Sequence, residues 1–102
     1  LVGDLLEENR LRAEQMFVPR RTDEWLVDGG MPLADLFPRL GAPELQSRVH
    51  SQVQTLGGLL LHEAGRLPDL GDTITWEGWE FEVLDLDGRR IDRVLVRRIT
   101  PA

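Results

Sequence analysis

Apolar and polar residues alternate along the last third of the chain and recur at helical spacing through its middle, and these two periods divide it into elements. Ile74 and Trp76 precede a Glu77-Gly78 turn. Phe81 and Val83 then alternate with Glu80 and Glu82, the period-two pattern of strands with one buried face. Asp87-Gly88 makes a second turn, and Ile91, Val94, Leu95, Val96 and Ile99 supply a last strand. Near the start, Met16 to Arg20 is short and apolar, Arg21-Thr22-Asp23 is a polar break, and Glu24-Trp25-Leu26-Val27-Asp28 is rich in strand-favouring side chains. That pattern predicts a first hairpin, ended by Gly29-Gly30.

Between the two strand regions the period lengthens. Pro32 suits an early helical position before Leu33, Leu36, Phe37 and Leu40, an i, i+3, i+4, i+7 stripe that Gly41 stops, although Pro38 lies inside it. Ala42 to Gln54 carries a mixed signal, a loop or an irregular helix. Thr55 can cap a second helix through Leu59, Leu60, Leu61 and Ala64, closed by Gly65 with Arg66 beside the negative end of its dipole. The predicted order is β, β, α, α, β, β, β: an α+β fold, one small domain with helices packed on one face of the sheet. Residues 1–15 carry Glu7, Glu8 and Glu14 among Leu5, Leu6 and Leu11. Their spacing permits a helix without a firm cap, so they are read as a linker or N-terminal arm, leaving 16–102 as the domain.

Composition narrows the function classes. At 102 residues the chain holds one modest core. No apolar run approaches the roughly 18 to 20 residues that a membrane span needs. The chain starts at Leu1 with neither an initiator Met nor a signal pattern, so it is expected to be a piece of something longer. Without cysteine it has no disulfide, thiolate nucleophile or zinc knuckle, which fits a reducing compartment. A net charge of -6 opposes general nucleic-acid binding, which needs surplus positive charge. All 12 basic residues are arginine.

Candidate chemistry is sparse. His50 and His62 are the only imidazoles, and neither has an obvious partner in sequence. His62-Glu63 lacks the second histidine of a zinc-protease helix, since Arg66 occupies that place. Ser47 and Ser51 lie near His50 without an elbow motif. Gly57-Gly58 could expose donors to an anion, but the full phosphate-loop pattern is absent, and close approach of helix and sheet is the expectation. Asp85, Asp87 and Asp92 flank a tight turn and are the candidate metal ligands, since oxygen suits magnesium or calcium. Arg89 and Arg90 interrupt that cluster, and turn chemistry also accounts for Asp87-Gly88. Arg89, Arg90, Arg93, Arg97 and Arg98 gather on the last hairpin; they could meet an acidic partner, a nucleotide or lipid headgroups, and a solvated edge that blocks strand pairing is the expectation. Of Trp25, Trp76 and Trp79, at least two are expected in packing, with Trp79 the most exposed.

The order of several separated motifs resembles the transporter-associated CorC/HlyC domain that follows paired CBS domains in membrane proteins. They are Val2-Gly3-Asp4-Leu5 with Glu7 and Glu8, Trp25-Leu26-Val27-Asp28-Gly29, Met31-Pro32-Leu33, Thr55-Leu56-Gly57-Gly58 and Gly65-Arg66-Leu67-Pro68. Gly71-Asp72-Thr73, Phe81-Glu82-Val83-Leu84 and Asp87-Gly88-Arg89-Arg90-Ile91 complete the series. The likeness spans most of the chain; no single motif is specific, but their order is. The chain departs from the family pattern at Val53-Gln54, where an aromatic is common, and over Met16 to Arg21.

The resemblance implies a cytoplasmic domain of a bacterial cell-membrane protein linked to magnesium and cobalt efflux or, by older naming, to haemolysin. It implies no settled catalytic residues, and the chain is read as a regulatory domain and not an enzyme. The expected partners are the adjacent CBS and membrane domains of the same parent, or a second copy in a homo-oligomer, with no nucleic acid. No cofactor is assigned, although a divalent cation such as magnesium is a candidate. The alternative is a module binding a small ligand, flavin or adenine nucleotide, against which stands the lack of a dinucleotide glycine fingerprint.

Overall fold

The computed structural model describes residues 16–99; the expected arm over 1–15 lies outside them. Strand β1 (Phe17–Arg21) pairs with β2 (Glu24–Asp28) across a turn in which Asp23 takes φ 62°. Arg21 belongs to the strand, so the polar break is shorter than the sequence pattern predicts. Helix α1 (Leu33–Arg39), a 3-10 helix (Pro43–Arg48) and helix α2 (Leu56–Ala64) follow. Strands β3 (Thr73–Trp76), β4 (Trp79–Asp87) and β5 (Arg90–Arg98) complete an antiparallel sheet of order β1-β2-β5-β4-β3. The observed order matches the predicted one, and the mixed stretch from Ala42 proves to be a short 3-10 helix followed by a turn in which the Val53 N–H donates to the His50 carbonyl at 2.9 Å.

Local chemistry explains the helix ends. Pro32 stays outside α1 as its cap, with φ -63° and ψ 135°, and bridges to Thr55 instead of entering the first turn. Pro38 is tolerated because it sits in the last turn of a short helix, where its missing N–H deprives only the exposed Ala34 carbonyl of a partner. At the start of α2 the Thr55 hydroxyl accepts the Gly58 N–H at 3.1 Å. Gly65 ends that helix in the left-handed region at φ 73°.

The two helices share one hydrophobic cluster with one face of the sheet. Leu33, Leu36, Phe37, Leu56, Leu59 and Leu60 meet Val27, Phe81, Val83, Val94 and Val96, all 2% exposed or less. Close approach at one corner needs glycine. The Gly57 N–H donates to the Gly29 carbonyl at 2.7 Å, and a methyl group on Gly29 would collide with the Ile91 carbonyl. Trp79 corrects an expectation: it is 5% exposed, because it lies in phase with Phe81 and Val83 and so on the same buried face. Its ring centroid stands 5.7 Å from that of Trp25, while Trp76 stacks on Phe37 at 5.9 Å.

The opposite face alternates with this one. The pairings Glu24↔Arg97↔Glu80 and Leu26↔Leu95↔Glu82 run across it. Leu95 is only 4% exposed yet lies outside the core cluster. Among the described residues no helix is long and apolar enough to cross a membrane.

Candidate functional site

Strand β5 lies between β2 and β4, so its arginines are not on an edge, contrary to the sequence expectation. At its far end they are held in place. Arg97 donates to Glu24 at 2.9 Å and to Glu80 at 3.0 Å, joining three strands. The hydrogen bond that Arg97 donates to Glu24 is the main cause of a guanidinium pKa raised above its ordinary value; burial opposes it and the Glu80 charge adds to it. Arg98 lies 5.0 Å over the Trp79 ring and donates to the Leu40 carbonyl at 2.9 Å, at the negative end of α1.

The other end of the β4–β5 hairpin is open. Asp85 pairs in register with Arg93 and is exposed. Arg90 stands between Asp87 and Asp92, 3.3 Å from one and 3.7 Å from the other. The arginine therefore occupies the space between two of the three predicted ligands. Among the described residues no group of three histidine, aspartate or glutamate side chains is arranged to hold an ion. Asp92 instead shares a polar cavity of about 350 Å³ with Asp28, Gly30, Arg90 and Met16. The Asp28 carboxylate there accepts the Gly30 N–H at 2.7 Å.

The start of α2 is chemically closed. The amides of Leu56, Gly57 and Gly58 donate to the Met31 carbonyl, the Gly29 carbonyl and the Thr55 hydroxyl. An anion would have to displace these bonds, which favours the close-approach reading of the glycines.

Two features escaped the sequence reading. His50, on the connection after the 3-10 helix, and His62, on α2, lie beside one another with ring centroids 5.3 Å apart and planes tilted by 32°. Twelve positions separate them, so only the path of the intervening chain joins them. Neither Ser47 nor Ser51 completes a nucleophile arrangement: the Ser47 hydroxyl donates to the Glu44 carbonyl, and both serines are exposed.

The second feature is a groove of about 310 Å³ between the start of β1 and α1. Met16, Met31, Ala34 and Pro38 form its apolar walls, with Asp35 and Arg39 at its rim. Arg39 also reaches over the Phe17 ring at 5.6 Å. Pliant methionine beside a fixed proline suits a surface that accepts an apolar side chain. The spaced leucines of α1 give no sign of it, because its walls come from the helix's polar side and from Met16, outside that helix.

The family model described as "Transporter associated domain", CorC_HlyC, matches residues 19–100. A polyamine export protein of Escherichia coli is 34% identical over 99 residues, which is 97% of this chain and 21% of that protein. The magnesium and cobalt efflux protein CorC of Salmonella typhimurium is 46% identical over 46 residues, 45% of this chain and 16% of that protein. The chain thus spans about a fifth of the length of the export proteins it matches. Among solved structures, the CorC_HlyC domain of a Xylella fastidiosa hemolysin, in complex with magnesium and manganese, superposes with a TM-score of 0.70 at 34% identity. That likeness covers 83% of this chain and 99% of the other.

Proposed function

The chain belongs to the CorC_HlyC family of transporter-associated domains, and on that premise we propose that it is a non-catalytic docking module of a membrane protein that exports a cation. It binds the adjacent CBS or membrane domain of its own parent, on the cytoplasmic side. Because it binds that neighbour more tightly in one state than in another, it biases transport. The groove walled by Met16, Met31, Ala34 and Pro38 carries this reading. It lies beside Met16, where residues 1–15 join the described fold, so a module tethered through that segment meets the groove at high effective concentration.

Isothermal titration of the domain with its parent's adjacent cytoplasmic module tests this. Ala34 is exposed on α1, so Ala34→Arg fills the groove without touching the core. Loss of about tenfold or more in affinity is expected from blocking a central pocket. Unchanged binding by this variant would remove the groove from the mechanism.

A second reading is that Asp85, Asp87 and Asp92 bind a divalent cation such as magnesium, with Arg90 swung aside. The Xylella fastidiosa relative solved with magnesium and manganese supports it. Saturable magnesium binding abolished by Asp87→Ala is the expected result, and a titration without heat sinks it.

A further inference from the structure

His50 and His62 are the only two histidines of the chain, and the fold sets their rings 5.3 Å apart from two different elements. Two imidazoles bound to one tetrahedral ion at metal–nitrogen distances of about 2.0–2.1 Å place their ring centres about 5 Å apart. The centroid spacing in the fold matches that separation. We propose that His50 and His62 form a site for a dication that prefers nitrogen ligands, of the zinc, cobalt or nickel type, with water filling the remaining positions. Hard magnesium, which holds oxygen ligands and its own water, is a poor occupant.

The hydrogen bonds around the pair assign the ligating atoms. Glu63 Oε2 lies 3.3 Å from His62 Nδ1. A carboxylate accepts only, so it places the ring proton on Nδ1 and leaves the Nε2 lone pair for the ion, the carboxylate–histidine–metal arrangement. On His50 the Nδ1 atom accepts the Gln52 N–H at 3.2 Å. Binding through Nε2 moves the ring proton to Nδ1 and releases that amide to water. Gln52 is exposed, so water replaces the lost partner. The release gives a signature at a residue that is not itself a ligand.

Occupancy would clip the connection after the 3-10 helix to α2. The site is independent of both the groove and the carboxylates of the β4–β5 turn, and its failure leaves those readings untouched.

The test is a zinc titration of the 102-residue chain followed by ¹⁵N NMR of the two imidazoles and the backbone, repeated in excess magnesium. Expected are a one-to-one endpoint, shifts at His50, His62 and the Gln52 amide, and no competition from magnesium. His50→Ala and His62→Ala should each weaken zinc by about tenfold or more, since each converts a chelate into a single ligand. Glu63→Gln should weaken it by up to about tenfold while leaving both ligands in place. Both histidines are exposed, so the alanine variants are expected to fold, and a circular dichroism melt checks this. Loss with one histidine variant alone, shifts centred on Asp87 and Asp92, or no endpoint below millimolar zinc would each overturn the proposal.

Discussion

The two ends of the β4–β5 hairpin carry the same residue types, acids and arginines, and the fold treats them in opposite ways. At one end Arg97 links Glu24 and Glu80, and Arg98 covers Trp79 while reaching the Leu40 carbonyl. At the other, Arg90 touches Asp87 and Asp92 with side chains that are 70% and 72% exposed for the first pair, so water competes for every contact. The difference comes from what lies on either side. The first end has β2 beside it and α1 beneath it; the tip projects past them. Charge patterning in sequence therefore says little about an arginine's role until its neighbours on adjacent strands are known.

Substitutions along the hairpin can break that contrast. The largest loss is expected at Phe81→Ala, where a 1% exposed ring leaves a cavity under the held end and costs about 3–5 kcal/mol in urea unfolding. Arg98→Ala removes both the ring contact and the bond to the end of α1; a loss of about 1–3 kcal/mol is expected in the same measurement. For Arg97→Ala, which leaves two acids facing each other across β5, the expected loss is about 1–2 kcal/mol, shrinking as salt is added.

Protonation should not blur the Arg97 result. A guanidinium whose pKa is raised on folding contributes stability that is complete below the unfolded value and is lost only as pH rises through the folded one. Arg97 deprotonation therefore contributes no slope between about pH 5 and 9. Smallest of all are Arg90→Ala and Asp87→Ala, expected within about 0.5 kcal/mol of the parent by thermal melts. A tip variant costing as much as Arg97→Ala would show that the hairpin is held evenly along its length and end the comparison.

The parts legible in the sequence are those with a local cause. Period-two alternation at Phe81 and Val83, the leucine stripe from Leu33 to Leu40 and the Thr55 cap each involve residues within about two turns of one another, and each appears where expected. Trp79 was legible in principle, since it continues the phase of Phe81 and Val83 and so falls on their buried face. The candidate sites were less visible. His50 and His62 converge only after the chain passes through a turn and into α2, and the groove draws Met16 and Ala34 from different parts of the chain. No sequence period spans such distances.

By itself, then, the sequence determined the order and kind of the elements, the buried face of β4 and the family, because these follow from short-range spacing and from motifs in a fixed order. The placement of β5 between β2 and β4 was decided only in three dimensions, and with it the separation of Arg97 and Arg98 from the arginines at the tip. Strand order is a non-local choice. It depends on which sheet edge can bury Val94 and Val96 against the helices while Arg97 meets an acid on each side, and no single segment encodes that balance.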